Sequence, residues 1–152
     1  MFSARDRDLD GARRPRGARA AARESLRVPL EYSGARQIRQ VLVHLAASWS
    51  VGDEPLDDFS LALTEAFSNA VRHGTGGPGD VAQVDLTVGP QLFQATLDYP
   101  GRPFPLRLPQ LPEGLATGGR GRYLMRALCD DVDYEFCDGR TRVRLTKRWR
   151  SR

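Results

Sequence analysis

Glu65 and Asn69 lie one helical turn apart and pose the first chemical question of this chain. They sit in the stretch 56–74, LDDFSLALTEAFSNAVRHG. Its apolar residues Phe59, Leu63, Ala66, Phe67 and Ala70 recur with the 3.6-residue rhythm of a buried helix face. Beside that face, Ala62, Glu65, Asn69 and either Arg72 or His73 form a second stripe. Residues four apart lie one above the other on a helix. A carboxylate at the edge of an apolar stripe is partly desolvated, and a buried Glu is rare unless paired or functional. Two readings of the stripe stay open on this helix alone: a polar boundary, or a carboxylate and an amide facing a ligand. In the second, the Asn69 amide oxygen can ligate Mg²⁺, a hard ion that bridges phosphate oxygens. Glu65 can take a proton from an attacking hydroxyl or water.

Two further stretches bear on that choice. Gly118-Gly119-Arg120-Gly121 precedes a helical pattern, and the free N–H groups of a helix N-terminus favour an anion. Asp98 and Gly101 stand at the end of a strand pattern. From Pro100 to Gly119 runs PGRPFPLRLPQLPEGLATGG, twenty residues with five prolines and four glycines. A loop of that length in a compact domain is usually functional, such as a lid, and otherwise an irregular linker. Carboxylate, amide, lid and glycine-rich turn together fit binding of a nucleoside triphosphate. Phosphoryl transfer needs mainly positioning and charge stabilisation, so few residues suffice. No GxxxxGK[ST] occurs, which excludes a P-loop protein. No strand lysine accompanies HRD and DFG motifs, which excludes an ordinary protein kinase.

The elements that must position these groups follow from periodicity. Residues 26–32 alternate Leu26, Val28, Leu30 and Tyr32, which predicts a half-buried strand, and Pro29 places it at a sheet edge. Ser33 reads as an N-cap for a helix over 35–48 with Ile38, Val41, Leu42, Leu45 and Trp49 on one side; His44 reads as a surface or boundary residue. The helix over 56–74 follows, with Pro55 near its first turn. Strands over 81–88 and 91–97 form a hairpin across Gly89-Pro90. A helix over 122–129 turns Leu124, Met125 and Leu128 inward. Strands over 132–137 and 141–148 flank the hairpin turn Asp138-Gly139. The order β-α-α-β-β-loop-α-β-β implies an α+β two-layer sandwich, a mixed but mainly antiparallel sheet covered on one face by three helices.

The totals set outer limits. The 152 residues suit one domain that buries about two-thirds of its unfolded surface. The net charge of +4 is uneven: residues 1–24 carry +3, residues 140–152 carry +7, and the stretch between carries −6. A basic last strand is more often a solvated face than a nucleic-acid footprint, so no direct nucleic-acid partner is expected. Residues 1–24, rich in Arg, Ala, Gly and Asp, read as a disordered basic arm, and 25–149 as the folded domain. No apolar run reaches the roughly 18 residues of a membrane helix, and the N-terminal stretch lacks the apolar core of a secretory signal. Cys129 and Cys137 fit neither zinc spacing nor a disulfide framework. A cytoplasmic protein without a membrane partner is the expectation.

The sequence Glu65-Ala-Phe-Ser-Asn69-Ala-Val-Arg-His73-Gly resembles the N box of the GHKL (Bergerat-fold) ATPases. More narrowly, it resembles that of the anti-sigma factor serine kinases of bacterial partner-switching systems. Gly101-Arg-Pro-Phe104 is similar to their first glycine box and Gly118-Gly-Arg-Gly121-Arg-Tyr-Leu-Met125 to their second. The ending from Asp131 to Lys147 also matches, so the resemblance covers about residues 26–148. It implies ATP and Mg²⁺ as cofactors. Glu65 becomes the general base and Asn69 the Mg²⁺ ligand. Asp98 at Gly101 contacts the adenine amino group, Gly119 and Gly121 wrap the phosphates, and Thr141 lies near adenine. The implied activity is serine/threonine protein kinase action on a small anti-anti-sigma (STAS-type) protein. The implied regulation is of a sigma factor by partner switching, commonly as a homodimer. One spacing departs from the family: its acid stands two residues before the glycine, where this chain has Tyr99, and Asp98 is three before. A one-residue slip in a strand turns a side chain to the opposite face. Either a bulge re-aims Asp98 or the adenine contact is lost. A non-catalytic binding module of the same fold is the alternative function. A separate-chain histidine kinase domain is a third, since no helical hairpin with an acceptor histidine is present.

Overall fold

The computed structural model describes residues 19–74, 77, 79–104 and 120–151. The residues 105–119, with Gly118 and Gly119, and the residues 1–18 lie outside the described set. Strand β1 (Ala22–Pro29) leads to helices α1 (Gly34–Ala46) and α2 (Asp53–His73). Strands β2 (Val81–Gly89) and β3 (Leu92–Pro100) follow, then α3 (Arg120–Leu128), β4 (Asp131–Cys137) and β5 (Arg140–Arg148).

The five strands form one sheet in the order β1-β2-β3-β5-β4, and all four pairings are antiparallel. Two tight hairpins build it. β2 and β3 turn at Gln91, which takes a φ of 58°; β4 and β5 turn at Asp138 and Gly139, with φ of 51° and 73°. Successive positive φ values are the geometry that matches the right-handed strand twist, and Asp-Gly is its favoured pair. The sheet is amphipathic because side chains alternate with period two. Phe93, Ala95, Leu97 and Tyr99 of β3 are fully buried, while Gln94, Thr96 and Asp98 are only partly buried. Val84, Leu86, Val143 and Leu145 extend the same buried face.

The helices cover that face. α2 contributes Phe59, Ala62, Leu63, Ala66, Phe67 and Ala70 to the core, and α1 contributes Ile38, Leu42 and Leu45. Phe59 stacks on Phe93 at 5.1 Å between ring centroids, and Trp149 completes the cluster against Phe93 at 6.0 Å. Gly34 lets the start of α1 come against both β1 and α2. A Cβ there would lie 2.6 Å from Val28 Cγ1 and 2.8 Å from Phe67 Cζ. Lys147 ties helices to sheet, donating to the Leu128 carbonyl at 2.8 Å and pairing with Asp58 at 3.3 Å. A cation at the free carbonyls ending α3 also suits the helix dipole.

Several boundaries differ from expectation for local reasons. β1 begins at Ala22, inside the stretch whose composition reads as an arm, because its partner β2 supplies a register from Val88 to Val81. It ends at Pro29, so Tyr32 is left 63% exposed. Ser33 takes the N-cap position without a side-chain cap bond. α3 starts at Arg120, so Gly121 lies in its first turn rather than ahead of it.

Candidate functional site

α2 is the scaffold of the site. Its core stripe fixes the helix against β3, β5, α1 and α3, and that docking rotates the neighbouring stripe toward the end of the sheet. Asn69 is only 6% exposed, while Glu65, one turn earlier, is half-buried. The Asn69 amide lies at the phenol oxygen of Tyr134, on β4. Tyr134 also points its hydroxyl at Met125 Sδ of α3, 3.9 Å away. Burial raises the Tyr134 phenol above its usual pKa; the hydrogen bond from Asn69, then Arg122 and Arg126, pull the other way.

The end of α2 meets the first glycine segment directly. Gly74 and Gly101 form an antiparallel backbone bridge, and the Gly101 N–H donates to the Gly139 carbonyl at 3.0 Å. Gly101 has to be a glycine. A Cβ there would stand 2.9 Å from both Thr141 Oγ1 and the Tyr99 ring. His73 then stacks on Phe104 at 5.1 Å, and Phe104 makes edge contacts with Tyr134 and Phe136 at 5.3 and 5.1 Å. The Arg122 guanidinium lies 5.2 Å above the Phe104 ring. Burial lowers the His73 pKa, and the positive charges of Arg72 and Arg122 lower it further. The charged form of His73 is thereby disfavoured.

Asp98 keeps the parity of its strand, the second of the two outcomes the spacing left open. The register through Gln83↔Asp98, Asp98↔Arg142 and Tyr99↔Thr141 is unbroken, with no bulge to re-aim the carboxylate. Its side chain therefore projects from the sheet face away from the helices. There it accepts from Arg140 Nε at 2.6 Å and from Arg142 Nε and Nη2 at 3.3 and 3.1 Å. It clamps two rungs of β5 and does not reach the side where Asn69 lies.

Tyr99 takes the inward position instead. Its ring is fully buried, directly opposite the equally buried Thr141. The two hydroxyls lie within interaction range, yet neither has a hydrogen-bond partner of proper geometry. Burial pushes the Tyr99 phenol well above its usual pKa, so it keeps its proton at neutral pH. A buried hydroxyl without a partner costs about 1–3 kcal/mol, and such groups are few in native interiors.

Of the residues expected to act together, Asn69, Gly101 and Thr141 gather at one end of the sheet, with Glu65 one turn back along α2. Gly121 is in the first turn of α3, and Gly119 is outside the described residues. Tyr99, at the position of the family's acid, Phe104, in the first glycine motif, and Tyr134 and Phe136 are not among the site residues expected from the sequence. For Tyr99 a signal existed: the alternation Phe93, Ala95, Leu97, Tyr99 already turns Asp98 outward. ATP and Mg²⁺ fit the residues present. Asn69 is a buried amide of the type that can ligate Mg²⁺, and the Tyr99 and Thr141 hydroxyls are buried without hydrogen-bond partners. Cys129 plays no part. Burial pushes its thiol up to about 12, which keeps it protonated.

The histidine kinase-like ATPase domain model matches residues 28–147. The serine-protein kinase RsbW of Bacillus licheniformis is 29% identical over 131 residues, 77% of this chain and 78% of that protein. The serine-protein kinase RsbW of Bacillus pumilus is 33% identical over the same shares. In the crystal structure of the RsbU and RsbW domains of a Mycobacterium tuberculosis protein, the superposition reaches a TM-score of 0.60. It does so at 21% identity, over 84% of this chain and 32% of that one. With the α+β sandwich, the N-box helix and the glycine bridge in place, this chain belongs to the histidine kinase-like ATPase family, in its RsbW-like branch.

Proposed function

We propose that this protein is an ATP-dependent serine kinase of the anti-sigma type, which phosphorylates a small STAS-type partner and regulates a sigma factor by partner switching. The observation that carries this reading is the placement of Asn69. It is a nearly fully buried amide on the helix that also presents Glu65, beside the Gly74–Gly101 bridge. Asn69 would hold Mg²⁺ through its side-chain oxygen. Bound Mg-ATP supplies the γ-phosphoryl group. Glu65 would accept the proton of the serine hydroxyl that attacks the γ-phosphoryl group, with ADP as the leaving group. The names of the Bacillus relatives support the kinase class. They leave the partner, the sigma factor and a homodimer to be established by experiment.

The test is incubation of the protein with Mg-ATP and a partner it demonstrably binds. Phosphoserine on that partner, lost in Glu65→Gln, is the expected outcome; a bound partner that stays unmodified defeats the kinase reading.

The second reading, a non-catalytic binding module of the same fold, is favoured by the outward Asp98 and the Tyr99 ring in the inward place. Titration with a fluorescent ATP analogue separates the two. Micromolar binding abolished by Asn69→Ala supports the kinase, and absence of binding supports the module.

A further inference from the structure

We propose that Tyr134 is a positioning residue for the cation ligand: its phenol oxygen accepts from the Asn69 side-chain amide and so turns the amide oxygen toward the place of Mg²⁺. The proposal rests on the Mg-ATP reading above and concerns how the ligand for the cation is held.

The two ends of a side-chain amide are nearly the same size, so its hydrogen-bond partners decide which way it points. Only one orientation serves a hard cation, because the oxygen can ligate and the NH₂ end only donates. Asn69 is 6% exposed, so bulk water contributes little to that choice. Its amide lies at the phenol oxygen of Tyr134. The same hydroxyl stands 3.9 Å from Met125 Sδ. A thioether has no proton to give, so the phenol is the donor in that contact. With its one proton committed to sulfur, the phenol oxygen is left to accept from Asn69. The amide N–H therefore belongs to Tyr134, and the amide oxygen is turned away from it.

The phenol is itself held on several sides. Val132, Tyr134 and Phe136 alternate along β4 opposite the buried Leu145, Val143 and Thr141 of β5. Phe104 meets the Tyr134 ring edge-on at 5.3 Å, and Phe136 lies nearly parallel to it at 6.3 Å. A phenylalanine would fill that place equally well, so packing explains the ring and leaves the hydroxyl unexplained. Groups that orient a metal ligand in this way typically raise metal affinity about 10–100-fold. A neutral amide–phenol bond belongs at the lower end of that range.

The experiment measures the affinity of the full chain for a fluorescent ATP analogue, once with excess Mg²⁺ and once with EDTA. The ratio of the two affinities is the contribution of the cation. Tyr134→Phe removes the hydroxyl and keeps the ring, and a thermal melt confirms that it folds. The expected result is a ratio lowered by about fivefold or more, with the affinity in EDTA within about twofold of wild type. A ratio lowered by less than about fivefold overturns the proposal. A parallel loss with and without Mg²⁺ also overturns it, since that is the mark of a purely structural role. Wild-type protein that binds the analogue equally in both conditions overturns the cation role of Asn69, and the positioning role with it. Wild-type protein that binds in neither condition overturns the nucleotide reading itself. Should Tyr134→Phe fail to fold, the exchange of the Asn69 side-chain amide protons decides, followed by NMR in wild type. They should stay protected when Mg-ATP is added, because the N–H remains on the phenol; protection lost on binding overturns the proposal.

Discussion

Two adjacent residues of β3, Asp98 and Tyr99, meet opposite surroundings. Asp98 faces outward from the sheet, where its carboxylate, only 15% exposed, pairs with Arg140 and Arg142. Tyr99 faces inward, among helices, with its hydroxyl unpartnered. The two faces obey different energetics. On the outer face water reaches the arginines and weakens the pair. On the inner face each group removed from water must be compensated by packing or by a ligand. A charge in the sequence is thus a poor guide to a site until its face is known.

The strongest way to sharpen this contrast is to truncate the same strand on each side. Phe93→Ala, which removes a ring stacked on Phe59 and tilted against Trp149, should cost about 3–5 kcal/mol. Thr96→Ala on the outer face should stay within about 0.5 kcal/mol. Paired urea denaturation curves measure both, and equal midpoints for the two variants would break the contrast. Next in size is Gly101→Ala. Its Cβ would press on Thr141 and the Tyr99 ring and should destabilise by about 1–3 kcal/mol, seen as a lower thermal midpoint.

Asp98→Ala comes third. It removes the bonds of a carboxylate only 15% exposed to Arg140 and Arg142 and should cost about 1–3 kcal/mol. A double-mutant cycle with Arg140→Ala measures the coupling, and nucleotide affinity should not change. A tenfold loss of ATP affinity in Asp98→Ala would return the carboxylate to the site.

The smallest effect is a pH dependence at His73. Burial, Arg72 and Arg122 hold its folded pKa below 6.5, so the unfolded chain binds a proton that the folded chain refuses. Stability contributed by the neutral ring is therefore present above pH 6.5 and declines as pH falls through 6.5 toward the lower folded value. Thermal midpoints between pH 7 and 5.5 should fall slightly more for wild type than for His73→Gln. Identical slopes would remove the cause.

Much of the architecture was legible because periodicity is strong where burial is one-sided. The apolar rhythm of α2 and the alternation in β2, β3 and β5 placed those elements within a few residues. The Asp138-Gly139 turn announced the last hairpin. What was not legible depended on partners distant in sequence. The start of β1 at Ala22 follows from pairing with Val88, which no local pattern encodes. The site was half legible. Helix spacing alone puts Glu65 and Asn69 on one stripe and leaves their roles open, while the placement of Tyr99 and Asp98 depends on strand parity, which only the alternation from Phe93 onward could have fixed. The Phe104 cluster draws on α2, α3 and β4 at once, so no single stretch of sequence announces it.

The backbone bridge between Gly74 and Gly101 has a consequence for how the site is held over time. The end of the N-box helix, the start of the glycine segment and the β4–β5 turn share one main-chain junction, in which the Gly101 amide hydrogen is committed to the Gly139 carbonyl. Fraying of any of the three segments frees that hydrogen to solvent. The exchange rate of this single amide thus serves as a clock for the whole junction. Anything that clamps the site, whether ligand or partner, should slow it before it slows the amides of the sheet centre, which already exchange only on the deepest openings.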